Sequence, residues 1–85
     1  MSLLKVFSVF DVKAEAYLRP FFVKTRGQAI RGFSDAVNDP QHEFHAHPDD
    51  YTLFQIGEFD EDEGKLIPAV PETCGNALQY LESDQ

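Results

Sequence analysis

The chain contains one cysteine, one methionine and no tryptophan among its 85 residues. With Cys74 alone, no disulfide can form within the chain and no cysteine cage can hold zinc. No apolar run approaches the roughly 20 residues that a membrane-spanning helix needs, and the first residues lack the basic start and apolar core of a signal peptide. We therefore expect a soluble intracellular protein.

Positive charge is scarce in the second half of the chain. Residues 1–37 carry six Lys or Arg against three carboxylates, a local charge of +3, whereas residues 38–85 carry Lys65 alone against twelve carboxylates, a local charge of −11. The overall charge of −8 repels nucleic acid and anionic membranes at long range. The basic first half can still bind phosphate, because salt screens charges over about 8 Å.

The composition is that of a folded protein, with 42% apolar and 26% charged residues, and the length suffices for one small domain. The pattern predicts an α+β fold: a small antiparallel sheet of about four strands, in the order β-β-α-β-β, with one helix packed on one face. We expect this single domain over residues 1–70. Residues 71–85 would form a C-terminal tail that is partly helical or frayed.

The elements follow from residue spacing. Alternating apolar residues predict a strand over 3–12, and a second extended segment over 17–23 contains Pro20, which indicates an edge position or a bulge. A capping box at Thr25 and Gln28 predicts a helix that ends at residues 38–40. Residues 38–50 read as a surface loop, residues 51–59 as a strand, and residues 60–65 as a hairpin loop in which Gly64 takes a positive φ. Residues 66–70 form the last strand, which Pro68 and Pro71 shorten.

Both faces of the first strand are largely apolar, so the sequence leaves one sheet face without a cover. We expect Leu4, Val6 and Phe10 to meet the helix, and Phe7 and Val9 to face the other way together with Lys5 and some of Tyr17, Phe21, Leu53 and Phe59. A second copy of the chain, joined face to face or edge to edge, would bury that second face in a homodimer. The alternative is that the C-terminal tail covers it.

Catalytic and metal sites have little support in the sequence. His42, His45 and His47 are of the type that binds zinc, but their spacing matches no metal motif, and solvated loop histidines are the simpler interpretation. The nucleophile candidates Ser8, Ser34 and Cys74 lie in no catalytic motif. We expect a protein that is not an enzyme, with no catalytic residues, no metal and no cofactor.

Basic and aromatic residues alternate in the first half of the chain, as they do in proteins that bind single-stranded nucleic acid. Cations would neutralise phosphates, while aromatic rings stack on bases, although a small domain needs most of its aromatic residues for the core. We expect Tyr17, and one of Phe7 or Phe21, to remain free for stacking. The predicted nucleic-acid-binding residues are Lys5, Lys13, Tyr17, Arg19, Lys24, Arg26 and Arg31.

Three segments resemble, in order and spacing, the small nonstructural protein of gokushovirus-type microviruses, which are phages with single-stranded DNA genomes. They are Asp11-x-Lys13-Ala14-Glu15-x-Tyr17-x-x-Pro20-Phe21-Phe22, Ala29-x-Arg31-x-Phe33-x-Asp35-x-Val37-Asn38 and His47-Pro48-x-Asp50-Tyr51-x-Leu53-Phe54-x-Ile56-Gly57-x-Phe59-Asp60. The resemblance implies a protein made in the host bacterial cytoplasm that is not a shell component. It also implies a role in single-strand genome synthesis or packaging, and it carries over no active-site residues.

Two functions from different classes follow. The first is a binding protein that acts on single-stranded DNA, or on the replication machinery, through the basic first half. The second is a protein-interaction adaptor whose acidic half engages a basic phage or host protein, since a local charge of −11 attracts cations.

Overall fold

The structure is a computed structural model that describes residues 2–82. Five strands form one antiparallel sheet within these residues, and one long helix packs against it. The strands are β1 (Leu3–Asp11), β2 (Ala16–Tyr17), β3 (Phe21–Val23), β4 (Tyr51–Asp60) and β5 (Lys65–Asn76), and the α-helices are α1 (Arg26–Val37) and α2 (Glu43–Ala46). The fold is therefore α+β with a helix-covered antiparallel sheet, and it is richer in strands than the four that the sequence predicts.

Strand β1 lies inside the sheet. Strand β4 pairs along one of its edges, and the short strands β2 and β3 pair with different parts of its other edge. Strand β5 pairs with β4 and forms the opposite border of the sheet. The resulting molecule is elongated, with principal extents of 47 × 26 × 19 Å.

Helix α1 begins where its capping box predicts. The Thr25 hydroxyl accepts a hydrogen bond from the Gln28 N–H (3.1 Å), and the Gln28 side-chain oxygen accepts one from the Thr25 N–H (3.3 Å). The pair satisfies two backbone donors that the first turn of a helix leaves free. Ala29, Phe33 and Val37 follow helical spacing and are buried against the sheet.

The two faces of the sheet are the reverse of those that the sequence predicts. Phe7 (0% exposed) and Val9 belong to the core beneath α1, where they pack with buried Leu53 and partly buried Phe21. The prediction was wrong because both sides of β1 are apolar, so alternation alone does not say which one meets the helix. Tyr17 and Phe59 do lie on the face away from α1, as expected, because they pair with Phe10 and Leu4.

We call the face away from α1 the open face. Residues that pair directly across strands share a face, so the register identifies its members. The paired residues of the open face are Leu4, Val6, Ser8, Phe10, Tyr17, Phe22, Thr52, Phe54, Gly57, Phe59, Leu66, Pro68, Thr73 and Asn76. None of these residues is charged.

Prolines interrupt one predicted strand but not another. The segment 17–23 is divided into β2 and β3 by Leu18–Pro20, and it lies at a sheet edge, as Pro20 indicates. Strand β5, in contrast, does not stop near Pro68 and Pro71 but continues to Asn76. This is possible because β5 is an edge strand and because its pairing with β4 is irregular between Gln55 and Gly57.

The predicted surface loop and the C-terminal segment both contain short helices. The loop 38–50 includes α2 and a 3-10 helix at Pro48–Asp50, and it buries Phe44 between Phe33 and Tyr51. After β5, a 3-10 helix at Ala77–Gln79 brings Ala77 into the core, with Tyr80 and Leu81 packed against it. Residues 77–81 thus pack on the helix side of the sheet and not on the open face. Residues 83–85 of the expected tail lie outside the described residues.

Candidate nucleic-acid interface

Three of the predicted cations lie along one border of the sheet. Lys13 is in the turn between β1 and β2, Arg19 is in the link between β2 and β3, and Lys24 directly follows β3. All three are exposed, and none forms an ion pair within residues 2–82. We call these three residues the basic edge. Because β2 and β3 flank β1 from Asp11 to Lys5, the basic edge follows β1 for about 20 Å.

A local hydrogen-bond pattern shapes the turn that carries Lys13. The Asp11 carboxylate accepts hydrogen bonds from the backbone N–H groups of Lys13 (3.0 Å) and Ala14 (3.3 Å). Glu15 then adopts a left-handed conformation with φ of 55°. An acidic side chain that accepts from the amides two and three residues later is typical of a tight turn, so the backbone at Lys13 is held at the exposed corner of the sheet.

Tyr17 provides an aromatic surface beside the basic edge. It is 45% exposed, and its ring contacts those of Phe10 and Phe54 edge to face, with centroid distances of 4.9 and 5.7 Å. These contacts hold the ring in place, while nearly half of the residue remains open to solvent. A fixed, partly exposed ring next to unpaired cations is the arrangement that stacks an unpaired base.

Phe22 is an exposed aromatic residue that the sequence reasoning missed. It is 44% exposed on the open face and contacts Phe59, with a centroid distance of 5.7 Å. Phe7 and Phe21, which the sequence offered as free stacking residues, instead stack on each other beneath α1 at 5.9 Å. The alternation along β3 was the available signal, because Phe21 and Phe22 must face opposite sides of the sheet.

Arg26 forms an ion pair within the chain. Its Nη1 lies 2.7 Å from Oε1 of Glu72, and its Nη2 donates to the backbone oxygen of Thr73 at 3.3 Å. The hydrogen bond that Arg26 donates to Glu72 is the main cause that raises the pKa of Arg26 above its usual range. The pair joins the start of α1 to β5, and it leaves less of the Arg26 charge for an external phosphate.

The two remaining predicted cations lie apart from the basic edge. Lys5 is a half-buried residue of β1 that pairs with Val23 and Glu58 on the side that α1 covers. Arg31 is exposed on α1. The structure therefore brings Lys13, Tyr17, Arg19 and Lys24 to one border of the sheet and distributes Lys5, Arg26 and Arg31 elsewhere.

Two of the three candidate nucleophiles, Ser8 and Cys74, are buried. Ser8 is buried, and its hydroxyl donates to the backbone oxygen of Leu18 at 2.6 Å. Cys74 is also buried, and burial raises the pKa of its thiol, which disfavours the reactive thiolate.

The histidines of the loop also make local contacts. Nδ1 of His42 accepts a hydrogen bond from the Phe44 N–H at 3.1 Å and so caps α2, and Nδ1 of His45 lies 3.0 Å from the backbone oxygen of Val37. In the part of the chain that the structure describes, no group of three or more His, Cys, Asp or Glu could hold a metal ion. Residues 2–82 also contain no helix that is long and apolar enough to cross a membrane.

Comparison with known proteins identifies relatives of the whole domain. Residues 4–80 match the model of the family described as Phage ORF5 protein. The chain is 36% identical to Protein ORF5 of Chlamydia phage 1 over 66 residues, which are 73% of this chain and 69% of that protein. No solved structure matches the chain. The resemblance to the small nonstructural protein of gokushovirus-type microviruses is thereby confirmed.

Proposed function

Because this chain belongs to the Phage ORF5 protein family, we propose that it is a nonenzymatic phage protein that binds single-stranded DNA during genome replication or packaging. It would act in the cytoplasm of the host bacterium. The basic edge would hold the phosphates, and Tyr17 would stack on an unpaired base.

The observation that carries this proposal is the position of Tyr17 among cations without partners. Lys13, Arg19 and Lys24 form no ion pair within the described chain, so binding a phosphate would break no salt bridge. Tyr17 lies between Lys13 and Arg19 in sequence and is 45% exposed. Stacking on an aromatic ring does not depend on base identity, which suits a protein that handles a whole genome.

Fluorescence anisotropy with labelled single-stranded oligonucleotides tests the proposal. We expect wild-type affinity to fall as salt rises, because bound phosphates release counterions. Arg19→Ala should weaken binding and reduce the slope of log affinity against log salt by about 0.7. Lys65→Ala is the matched control: it also removes one cation, but from the distant β4–β5 hairpin, where Lys65 pairs with Glu63 at 3.2 Å.

A second variant tests the stacking contact. Tyr17→Leu keeps an apolar side chain against Phe10 and Phe54 and removes the aromatic ring. Binding should weaken by about 5-fold to 150-fold, since stacking contributes about 1–3 kcal/mol for each base. Equal effects of Arg19→Ala and Lys65→Ala, or no binding by the wild type at low salt, would rule out direct contact with DNA at the basic edge.

A protein-interaction adaptor is the second candidate, and the exposed acidic hairpin favours it. Residues 61–63 at the β4–β5 turn are all acidic and exposed, at one end of an elongated molecule. A projecting acidic tip attracts a basic phage or host protein. Pull-down from infected lysate separates the two functions: partners that survive nuclease but are lost in high salt favour the adaptor, and partners lost with nuclease favour DNA.

A further inference from the structure

The hairpin end of the open face contains an apolar groove of about 400 Å³. Its walls include Val6, Pro20, Phe22, Ile56, Leu66 and Pro68, and Glu58 is the one charged residue among those that line it. The groove is therefore a hydrophobic surface and not a site for a polar ligand.

Large apolar residues around this groove remain exposed. Leu66 is 67% exposed and Phe22 is 44% exposed, and Val70, further along β5, is 87% exposed. A monomeric protein rarely exposes a continuous apolar patch larger than a few hundred Å². Burial of this surface would stabilise the protein.

The C-terminal segment does not cover the groove. Ala77, Tyr80 and Leu81 pack into the core beneath α1, on the other side of the sheet. The Asn38 side chain fastens them there, since its Nδ2 donates to the Tyr80 backbone oxygen at 2.9 Å. Within residues 2–82 the C-terminal segment thus leaves the groove uncovered, and a second molecule could fill it.

Charge indicates which molecule that is. The chain has a net charge of −8, so two copies repel each other wherever their acidic surfaces meet. The open face is the exception, because its register-paired residues are all uncharged. A nucleic acid that covered this face would need cations across it, whereas the basic edge lies only at its border, and a basic protein would need carboxylates. A second copy of the chain needs neither.

The area of the open face is close to the area that an interface with a second copy needs. Four strands about 4.8 Å apart and about nine residues long give a projected area on the order of 600 Å². Stable interfaces begin at about 600 Å² for each partner. A symmetric dimer that uses the whole open face thus comes close to this lower limit.

The edges of the sheet disfavour a dimer formed by edge-to-edge strand pairing. Pro68 and Pro71 lie in the outer strand β5, and Pro20 interrupts the opposite border. Proline cannot donate a backbone hydrogen bond, and a proline in an edge strand is a recognised obstacle to edge-to-edge pairing. We therefore propose that the open face, centred on the groove at Phe22 and Leu66, is the two-fold symmetric interface of a homodimer.

Size-exclusion chromatography with light scattering, over a range of micromolar concentrations, tests the proposal. The wild type should have a mass near twice 9.7 kDa. Leu66→Lys places a charge in the interface, and its exposed position should allow the monomer to fold. We expect this variant to raise the dimer dissociation constant about 100-fold, with an unchanged circular dichroism spectrum.

Leu78→Lys is the matched control, because Leu78 is 51% exposed but lies in the 3-10 helix beyond β5. It should remain a dimer. If Leu66→Lys does not fold, Phe22→Lys, at a 44% exposed position that lines the same groove, replaces it. A monomeric wild type at high micromolar concentration, or folded Leu66→Lys and Phe22→Lys variants that both dimerise normally, would overturn the proposal. The outcome is independent of DNA binding, since these variants leave the basic edge intact.

Discussion

At the residue scale, two asparagine side chains fasten the end of the chain to the domain. Nδ2 of Asn76 donates to the backbone oxygen of Tyr51 at 3.1 Å, and its Oδ1 accepts from the Leu78 N–H at 3.0 Å. Asn38 likewise donates to the backbone oxygen of Tyr80. An amide carries both donors and an acceptor, so a single side chain can satisfy backbone groups from two segments.

Tyr51 makes the folded state sensitive to alkaline pH. Its hydroxyl donates to Oε1 of Glu43 at 2.9 Å, and burial, followed by this hydrogen bond, raises the pKa of Tyr51 from 10.0 to about 12. The folded protein therefore holds this proton more tightly than the unfolded chain does. The resulting stabilisation is complete below pH 10 and is lost as the pH rises to about 12.

Titration of tyrosinate by ultraviolet absorbance, together with urea unfolding at several pH values, checks this prediction. The wild type should show a late titration step near pH 12 that Tyr51→Phe removes. Stability should fall less between pH 10 and 12 in Tyr51→Phe than in the wild type. Identical pH dependence in both proteins would contradict the assignment.

At the element scale, strand β5 passes very close to β4 where their pairing is irregular. A Cβ atom added at Gly57 would lie closer to the backbone oxygen of Ile67 than such atoms approach in proteins. The absence of a side chain at Gly57 is thus what lets β5 continue past Pro68. The same strand supplies Leu66 to the groove, which Phe22 of β3 also lines.

Two glycine-to-alanine substitutions should have opposite effects. Gly57→Ala should lower the free energy of unfolding by about 1–3 kcal/mol, because the methyl group meets backbone that cannot move without disturbing the sheet. Gly32→Ala, in α1, should raise it by about 0.5–1 kcal/mol, since nothing lies within 4 Å of the added atom and alanine favours the helix. Urea unfolding measures both, and a neutral Gly57→Ala would contradict the close approach.

At the scale of the whole molecule, the sheet separates two different surfaces. The side under α1 forms the core, and the open side is uncharged at its register-paired positions. The cations of the basic edge lie at the border between them, whereas the acidic hairpin projects from one end. The proposed DNA contact and the proposed dimer interface meet at Tyr17, which belongs to the open face. Substitutions at Arg19 and at Leu66 test the two proposals separately, because each changes a residue that only one of them uses.

Substitution of Phe7 tests the assignment of the faces. Phe7→Ala should lower the free energy of unfolding by about 3–5 kcal/mol, because it leaves a cavity against Phe21 and the core beneath α1. Leu78→Ala, at a 51% exposed position, should cost less than about 1 kcal/mol. Unfolding in urea at one fixed protein concentration compares them, and equal losses would place Phe7 outside the core.

Much of the architecture is determined by local sequence signals. The capping box at Thr25 and the turn at Gly64 are set by residues close together in the chain, so they were predicted where they occur. The motifs over residues 11–60 likewise identified the phage family, which the match over residues 4–80 confirms. Lys13 and Arg19 come to the same border because a short turn and an edge strand keep them near each other.

Tertiary structure decided the features that depend on distant partners. Phe7 and Phe10 are equally apolar, and only the position of α1 places the first in the core and leaves the second on the open face. Glu72 pairs with Arg26, which is 46 residues away in the sequence, so no local pattern predicts this ion pair. Strand β5 continues past Pro68 and Pro71 because its pairing with β4 is irregular next to Gly57. Local sequence determines which elements form, whereas burial of one sheet face against the helix decides which residues remain available to other molecules.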